Sequence, residues 1–396
     1  MAERAIKSTD VRPNNDKNRT ARSLNSRSGY FCRGKIDLTF LFLVLGILTT
    51  GLIMLFSASA PYASTYYGDS YYFIKRQLIF AVAGVVIMFV VSKFNYHVLK
   101  KFAWILYAIS ILMLVAVLFL PEVVPGFKRW LGIGPITFQP SEVAKFSLVL
   151  LLAYLISKNY EKMIELKFIA KLFVIIGTFA GLVIAEKHLS ATILISIIAL
   201  VILVAGGMQF RYVLFLGAAG VGGAAIAIMS GLIDYGMDRI IYWLDPWADA
   251  TDTGYQTIQS LLAIGSGGVT GQGIGQSTQK YLWVPEPQND FIFAIVCEEL
   301  GLFGAVLIIA AFALLVWRGL VIAMRAPDKF GALLTLGLIF QVGLQTVLNM
   351  LVVTNTIPNT GISLPFFSYG GTSLMMLLFQ MGVILSVSRQ ANIQKA

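Results

Sequence analysis

The acidic residues of one apolar stretch are the first candidates for chemistry. The stretch reads PEPQNDFIFAIVCEE, with Asp290 at its polar edge and Glu298 and Glu299 inside its apolar part. A carboxylate at the border of a low-dielectric region loses hydration, which makes it a candidate general base. Glu298 lies about 12 Å deeper along a helix, and an acid there must face the bundle interior or a wet cavity. For Glu298 and Glu299, structural hydrogen bonding remains the alternative to a functional role.

A second set of charged residues could bind an anion. Lys128 and Arg129 are adjacent in GFKRWLGIGPITFQPSEVAK, and Glu142 and Lys145 follow three residues apart, on one face of a helix. Two interpretations stay open for Glu142 and Lys145. They form a buried ion pair that orients the helix, or the cations of this segment bind a phosphate-bearing lipid head group.

The remaining polar motifs exclude several classes of site. The glycine-rich stretch AIGSGGVTGQGIGQSTQK lacks the spacing of a nucleotide-binding loop, so its glycines serve tight turns or backbone N–H groups that line a polar ligand. AEKHLSAT places His188 at a helix junction, where a satisfied structural side chain is the favoured interpretation. No HExxH, CxxC or multi-histidine cluster occurs, which argues against zinc and haem. A hard-cation site that includes Asp290 stays open.

Composition indicates which elements position these residues. The chain of 396 residues is 57% hydrophobic and only 13% charged, with a mean hydropathy of +0.78. Its apolar runs approach 20 residues and do not alternate, which predicts an all-α polytopic membrane protein. Ten spans are expected, at about 38–58, 75–92, 102–120, 142–157, 168–185, 189–207, 211–231, 291–317, 330–353 and 367–388.

The distribution of basic residues predicts the orientation. If both termini are cytoplasmic, the inner segments hold 22 of the 30 Lys and Arg residues. This assignment gives a disordered basic tail over 1–36, a transmembrane domain over 37–390 with a large outer loop at 232–290, and a cytoplasmic C-terminus at 391–396. The net charge of +10 is concentrated in the tail, which argues for a role in topology and anionic-lipid contact and against nucleic acid as a partner.

Four long motifs then suggest a family. RWLGIGPITFQPSEVAK, GYQTIQSLLAIGSGGVTGQGIGQSTQK, VPEPQNDFIFAIVCEELG and GISLPFFSYGGTSL occur in this order between Arg129 and Leu374. With them the chain resembles the SEDS (shape, elongation, division, sporulation) membrane proteins, and most closely the FtsW/SpoVE branch of Gram-positive bacteria. The segment EKHLSAT departs from the QPDLGT-like sequence of many relatives, because it lacks their acid.

The resemblance implies a peptidoglycan glycosyltransferase that polymerises lipid II into glycan strands on the outer face of the bacterial cytoplasmic membrane, during cell division or sporulation. Expected partners are lipid II, the nascent glycan strand, a class B penicillin-binding protein and other divisome or sporulation membrane proteins, at the septum or forespore. A divalent cation, Mg²⁺ or Mn²⁺, is expected, and no nucleotide.

Site residues follow from the same resemblance. Asp290 matches the catalytic aspartate of the DFIF motif. The motifs and the segments beside them carry the expected substrate-binding residues: Lys128, Arg129, Trp130, Gln139, Ser141, Glu142, Lys145, Lys187, Gln259, Ser260, Gln279, Lys280, Glu286 and Ser368.

The residues and the resemblance lead to one mechanism. Asp290 accepts the proton of an acceptor sugar hydroxyl, which attacks the anomeric carbon of the donor with inversion and displaces a polyprenyl diphosphate. Arg129, Lys128 and Lys145 stabilise the leaving group, and the lipid tail lies in a groove between spans. The alternatives are a lipid II flippase and a scaffold for division partners. A flippase needs a polar pathway through both leaflets, whereas the predicted spans 102–120 and 189–207 hold no charge.

Overall fold

The structure, a computed structural model, is a bundle of long apolar helices. It describes residues 34–121, 129–133, 136–186, 188–214, 217, 222, 241–251 and 254–393. The helices are α1 (Leu38–Tyr67), α2 (Tyr72–Lys93), α3 (Leu99–Phe119), α4 (Pro140–Lys158), α5 (Leu166–Ala185), α6 (Leu189–Ala205), α7 (Tyr255–Gly267), α8 (Ile292–Met324), α9 (Lys329–Val353) and α10 (Gly371–Ile393). A two-stranded antiparallel hairpin, β1 (Leu131–Ile133) and β2 (Ile136–Phe138), precedes α4.

One end of the bundle, which we call the basic face, is held together by charged residues. Asp37 caps α1 and pairs with Arg318 near the end of α8, at 2.7 Å. Asp328 caps α9. It accepts hydrogen bonds from Tyr96, which precedes α3, and from Lys100 in the first turn of α3. Among the described residues, the Lys and Arg side chains at this face are Lys35, Lys93, Lys100, Lys101, Lys158, Lys162, Lys167, Lys171, Arg211, Arg318, Arg325, Lys329 and Arg389.

The opposite end, which we call the Asp290 face, carries the hairpin, α7 and the segments 277–290 and 354–370. Of the described Lys and Arg residues, only Lys75, Arg76, Arg129, Lys145 and Lys280 lie on this side. Because basic residues are enriched in cytoplasmic segments, this distribution predicts that the basic face is cytoplasmic and the Asp290 face is extracytoplasmic.

Two polar layers locate the membrane along the bundle axis. Asp37 and Arg318 form one layer, and Ser57 with Glu299 forms the other, where the Ser57 hydroxyl donates to the Glu299 carboxylate at 2.7 Å. Along α1 the two layers are 20 residues apart, which corresponds to about 30 Å. That distance equals the thickness of a bilayer hydrocarbon core, so both layers lie near its borders.

The helices α4 and α10 form the centre of the bundle. The apolar window of α4 is 78% buried within the protein and that of α10 is 72% buried, against 22% for the window that contains α3. The peripheral helices therefore expose their remaining apolar surface to lipid. Close packing of α2 on α10 depends on Gly382, where a Cβ would lie 2.7 Å from the Met88 carbonyl oxygen.

Long apolar helices lie at eight of the ten predicted spans, and most of their ends agree with the prediction to within a few residues. Within the described residues, eight helices have the length and hydropathy of a membrane span, and α6 is a shorter apolar helix of 17 residues. The predicted seventh span, 211–231, lies largely outside the described residues, as do residues 1–33 and 394–396. Helix α1 is longer than predicted and continues past Pro61 to Tyr67. Helix α7 lies within the predicted outer loop.

Helix α8 is interrupted where α7 ends against it. Gly301 has φ +66° and ψ −169°, which divides α8 into two helical parts. The backbone N–H groups of Leu302 and Phe303 donate to the carbonyl oxygens of Gly268 and Val269, just beyond α7. Gly271 approaches so closely that a Cβ on Gly301 would overlap its backbone nitrogen. The break thus places the first part of α8, which follows Asp290, at a fixed position against α7.

Candidate functional site

Asp290 lies at the start of α8 on the Asp290 face. Its backbone carbonyl accepts a 2.7 Å hydrogen bond from the Asn349 amide of α9, and the same amide donates to the Ile362 carbonyl at 2.7 Å. Asn349 is fully buried, whereas Asp290 is half-buried. One buried amide therefore fixes the Asp290 backbone and the adjoining segment 357–370, while Asp290 itself stays partly exposed.

The segment 357–370 covers one side of Asp290. The Ser368 hydroxyl donates to the Asn289 carbonyl at 2.8 Å and accepts from the Leu364 N–H at 2.8 Å. Gly361 has φ +67°, and a Cβ there would lie 3.3 Å from Asp290 Oδ2. The predicted substrate residue Ser368 thus positions the segment beside Asp290, and Gly361 lets the backbone approach the carboxylate.

A second polar group adjoins this segment at the end of α5. The Ser190 hydroxyl, in the first turn of α6, donates to the Thr360 carbonyl, next to Gly361. Glu186 precedes it and is 2% exposed, and among the described residues neither of its carboxylate oxygens has a hydrogen-bond partner. Burial raises the pKa of the Glu186 carboxyl to about 8, and the positive charge of Arg129 opposes this rise only in part. The chain of contacts connects Arg129 and Glu186 to the surroundings of Asp290.

Buried polar atoms without a protein partner are concentrated on the Asp290 face. Buried polar groups in proteins are nearly always hydrogen-bonded to protein, water or ligand, so such atoms indicate where water or a ligand binds. Besides the two Glu186 oxygens, those on this face within the described residues include Ser141 Oγ, Gln279 Oε1, Gln288 Oε1, Asn349 Oδ1 and Thr360 Oγ1.

The hairpin segment brings part of the predicted anion site to the same face. Thr372, at the start of α10, donates to the Thr137 carbonyl of β2 at 3.1 Å. In the first turns of α4, Lys145 pairs with Glu142 at 2.7 Å, and the two side chains are 4% and 14% exposed. The ion-pair interpretation of these two residues is therefore confirmed. Their predicted role with substrate stays a prediction, as do those of the partly exposed Trp130 and Gln139 and of the buried Ser141.

Lys280 and the two glutamates of α8 form a buried network on the segment 277–280. The Lys280 ammonium contacts the Glu299 carboxylate at 2.8 Å and the Ser57 hydroxyl at 3.2 Å. Glu298 accepts hydrogen bonds from the Ser277 hydroxyl and from the Thr278 N–H and hydroxyl, the last two at 3.0 Å. The structural interpretation of Glu298 and Glu299 is thus confirmed. Lys280 is 4% exposed in this network, so the structure does not bring its ammonium to Asp290.

The glycine-rich segment forms tight turns. Gly268, Gly271, Gly273 and Gly275 all have positive φ. The Gly273 N–H donates to the Glu299 carbonyl at 2.9 Å, and the Gln272 N–H donates to Glu298 at 3.0 Å. These N–H groups donate to backbone carbonyls of α8 near its break. The contacts therefore support tight turns as the role of the glycines.

Other predicted residues are distributed around this site. Ser260 is buried and donates to the Val353 carbonyl at 2.9 Å, while Gln259 is 9% exposed on the same helix. Glu286 is exposed and accepts from Asn289 at 2.7 Å. Lys128 and Lys187 lie outside the described residues.

Sequence reasoning did not select three polar residues that position the site. Gln77 and Asn349 anchor the segments around Asp290, and Glu186 adjoins them. Gln77 donates to the Ser368 carbonyl at 3.3 Å and accepts from the Gly370 N–H at 3.2 Å. For Gln77 and Asn349, the sequence signal was a side-chain amide within an apolar span. Such a group must find hydrogen-bond partners inside the bundle.

The described residues contain no group of three or more His, Cys, Asp or Glu side chains that could hold a metal ion. Magnesium often binds through one or two carboxylates and the phosphates of a substrate. Asp290 fits that arrangement only together with a bound diphosphate, and the expected cation stays a prediction.

Comparison with known proteins gives consistent matches along the chain. The FtsW/RodA/SpoVE family, described as "Cell cycle protein", matches residues 38–393. Stage V sporulation protein E of Bacillus subtilis (strain 168) is 40% identical over 357 residues, which cover 89% of this chain and 97% of that protein. A probable peptidoglycan glycosyltransferase FtsW of Geobacter sp. (strain M18) is 37% identical over 358 residues, with 89% and 96% coverage.

Solved structures show the same fold. A chain of a complex described as "Structural coordination of polymerization and crosslinking by a peptidoglycan synthase complex" superposes with a TM-score of 0.76 at 26% identity, covering 90% of this chain and 98% of the other. The rod shape determining protein RodA of Thermus thermophilus superposes with a TM-score of 0.66 at 27% identity, covering 90% and 97%.

Proposed function

This chain belongs to the FtsW/RodA/SpoVE family of membrane proteins, and from that premise we propose that it is a peptidoglycan glycosyltransferase that polymerises lipid II on the extracytoplasmic face. The observation that carries the proposal is the position of Asp290. Its half-buried carboxylate lies on the extracytoplasmic face among buried polar atoms that have no protein hydrogen-bond partner.

Asp290 acts as the general base. Its carboxylate accepts the proton from the 4-hydroxyl of the acceptor sugar, and that oxygen forms a bond to the anomeric carbon of the donor. The bond from the anomeric carbon to the diphosphate oxygen breaks, and the configuration inverts. Asn349 holds the Asp290 backbone at 2.7 Å, so the base is positioned before substrate binds. One general base contributes about 10²–10⁴-fold to the rate.

Cations of the hairpin segment and α4 stabilise the departing diphosphate. Arg129 lies near Glu186, whereas Lys145 is paired with Glu142 and would exchange this partner for the diphosphate. A fixed positive charge beside the leaving group lowers the barrier without a protein acid, because the diphosphate leaves as an anion. A divalent cation bound with the substrate would add to this charge.

The polyprenyl tail of the substrate has a candidate groove between α1 and α8. The groove has a volume of about 540 Å³ and is lined by Gly46 of α1 and by Phe303 and Leu307 of α8. Glu299 and Gly273 lie at its extracytoplasmic end. Asp290 is nine residues before Glu299, or about 14 Å along a helix, which is compatible with a head group at Asp290 and a tail in hydrocarbon.

The physiological partner is a class B penicillin-binding protein that cross-links the new strands. Support comes from the similarity in fold to one chain of a peptidoglycan synthase complex, whose description names both polymerization and crosslinking. The similarity to stage V sporulation protein E and to FtsW proteins favours other divisome or sporulation membrane proteins as further partners, and a location at the septum or forespore.

The test is polymerisation of purified lipid II by the reconstituted protein with its cross-linking partner. Asp290→Asn keeps the size of the side chain and removes the base, so we expect polymer formation to fall by at least about 100-fold. Asp69→Asn is a matched control, because Asp69 is an exposed acid on the same face that pairs with Lys75. It should polymerise like the unmodified protein.

Normal polymerisation by the Asp290→Asn protein would show that Asp290 is not the base. If no protein forms polymer but labelled lipid II crosses the vesicle membrane, the protein is a flippase. Partner binding by Asp290→Asn, measured by co-purification, separates a lost base from a lost fold.

A further inference from the structure

A second cavity lies on the cytoplasmic face, at the opposite end of the bundle from Asp290. It has a volume of about 670 Å³ and is enclosed by the start of α1, the end of α8 and the end of α10. Its lining includes Lys35, Asp37, Arg318 and Arg325, with Leu38 and Val321 contributing apolar surface. The proposed glycosyltransferase reaction uses none of these residues.

The walls of this cavity are fixed by contacts between the three helices. Arg318 holds Asp37 with its Nε at 3.0 Å from both carboxylate oxygens. The Asp37 N–H donates to the Ser388 hydroxyl at 3.2 Å, and Arg389 donates to the Gly34 carbonyl at 3.0 Å. The cavity is therefore a formed site between packed helices.

The charge of the site is positive after internal pairing. Asp37 neutralises Arg318, which leaves the charge of Arg325 in the lining and that of Arg389 beside it. Within the part of the chain that the structure describes, Arg325 has no side-chain hydrogen bond or ion pair. Among the described residues, the buried Arg389 Nε has no hydrogen-bond partner. Because buried N–H groups in proteins are nearly always hydrogen-bonded, this atom indicates a place for a water or ligand acceptor.

The depth of the cavity matches the head-group layer of the inner leaflet. Its Asp37–Arg318 pair is the polar layer about 30 Å from the Ser57–Glu299 layer. Arg325 lies seven residues beyond Arg318, about 10 Å further towards the cytoplasm. Leu38 is 57% exposed at the rim and faces the region of acyl chains and glycerol.

We propose that this cavity binds the phosphate head group of an anionic phospholipid of the cytoplasmic leaflet. Basic pockets between membrane helices on the cytoplasmic side bind such head groups. The basic tail is a poor occupant, since residues 1–33 hold eight Lys and Arg against three acids and repel a positive cavity. The same tail strengthens attraction to a negative lipid surface.

The test measures retained lipid by native mass spectrometry of the full-length protein, purified from nanodiscs that contain phosphatidylglycerol and phosphatidylcholine. Arg325→Gln removes a cavity charge without touching the Arg318–Asp37 pair. Lys162→Gln is the matched control, because Lys162 is exposed on the same face and outside the cavity. We expect Arg325→Gln to lower bound phosphatidylglycerol about fivefold relative to phosphatidylcholine, and Lys162→Gln to leave it unchanged.

Equal losses in both variants would mean a diffuse surface charge, and no loss in Arg325→Gln would mean no site. Either result overturns the proposal. Inorganic phosphate is added in a parallel arm: full displacement of the lipid by millimolar phosphate would identify a site for a free anion instead. Lipid II polymerisation in detergent should be unchanged in Arg325→Gln, so failure of this proposal is distinguishable from failure of the proposed function.

Discussion

At the scale of single residues, the partly buried Asp328 and the buried Glu186 differ in their partners. Asp328, at the basic face, accepts hydrogen bonds from Tyr96, His97 and the Gly331 N–H. Burial alone would raise the pKa of Asp328, but these hydrogen bonds hold it well below its usual range. Glu186 has no such partners, and burial raises its pKa to about 8. Hydrogen bonding to the charged form, rather than burial alone, decides the sign of the shift.

Glu186 should therefore make stability fall with rising pH. Its pKa is higher in the folded protein than in the unfolded chain, so the folded state binds more protons between about pH 4.5 and pH 8. The stabilisation is complete below that window and is lost as the pH rises through it. Between about pH 6 and pH 8 the change is at most about 3 kcal/mol.

The measurement is thermal stability in detergent across this pH range, for the unmodified protein and for Glu186→Gln. The amide resembles the protonated acid and does not ionise. The stability of the variant should therefore not show the fall with rising pH that Glu186 causes in the unmodified protein. The comparison subtracts the contribution of every group that the two proteins share. Parallel pH profiles would contradict a protonated Glu186.

At the scale of elements, the crossing of α7 and α8 positions the helix that follows Asp290. Gly301 has a left-handed φ of +66°, and a Cβ there would overlap the backbone of Gly271. Gly301→Ala should thus destabilise the protein by at least about 2 kcal/mol. Gly265→Ala is the control, because Gly265 lies within α7 and its Cβ would meet no atom within 4 Å.

Apparent melting temperature by fluorescence-detected size exclusion would test this pair of variants. Gly265→Ala should be neutral or slightly stabilising, since alanine favours a helix. A melting temperature for Gly301→Ala as high as that of Gly265→Ala would show that the break does not need glycine.

The apolar runs predicted the spans because continuous hydrophobicity along about 20 residues has one structural solution in a bilayer. The same reasoning could not predict α7 or the partner of Lys280. Glu299 is 19 residues from Lys280 and Ser57 is 223 residues away, and these contacts depend on how the helices pack. Asp290 was found from its position at the polar edge of a span. Asn349 and Gln77, which hold its surroundings, act across elements and have no local motif.

At the scale of the whole molecule, charge distribution assigns the two faces to opposite sides of the membrane. Gln276 is exposed on the Asp290 face and Lys162 is exposed on the basic face. In a Cys32→Ser background, an impermeant maleimide should label Gln276→Cys in intact cells. It should label Lys162→Cys only after the membrane is opened. Cys297 is buried and should give little background. The reverse labelling pattern would invert the orientation and place Asp290 in the cytoplasm.

The two polar layers at Asp37–Arg318 and at Ser57–Glu299–Lys280 also define a preferred bilayer. Thicker acyl regions would cover one layer with hydrocarbon, and thinner ones would expose apolar helix surface to water. Both forms of hydrophobic mismatch cost a fraction of a kcal/mol per ångström. Since α8 connects the two layers, tilting it to relieve mismatch also moves the helix end that carries Asp290. Membrane thickness is thereby a physical variable that acts on the geometry of the extracytoplasmic site.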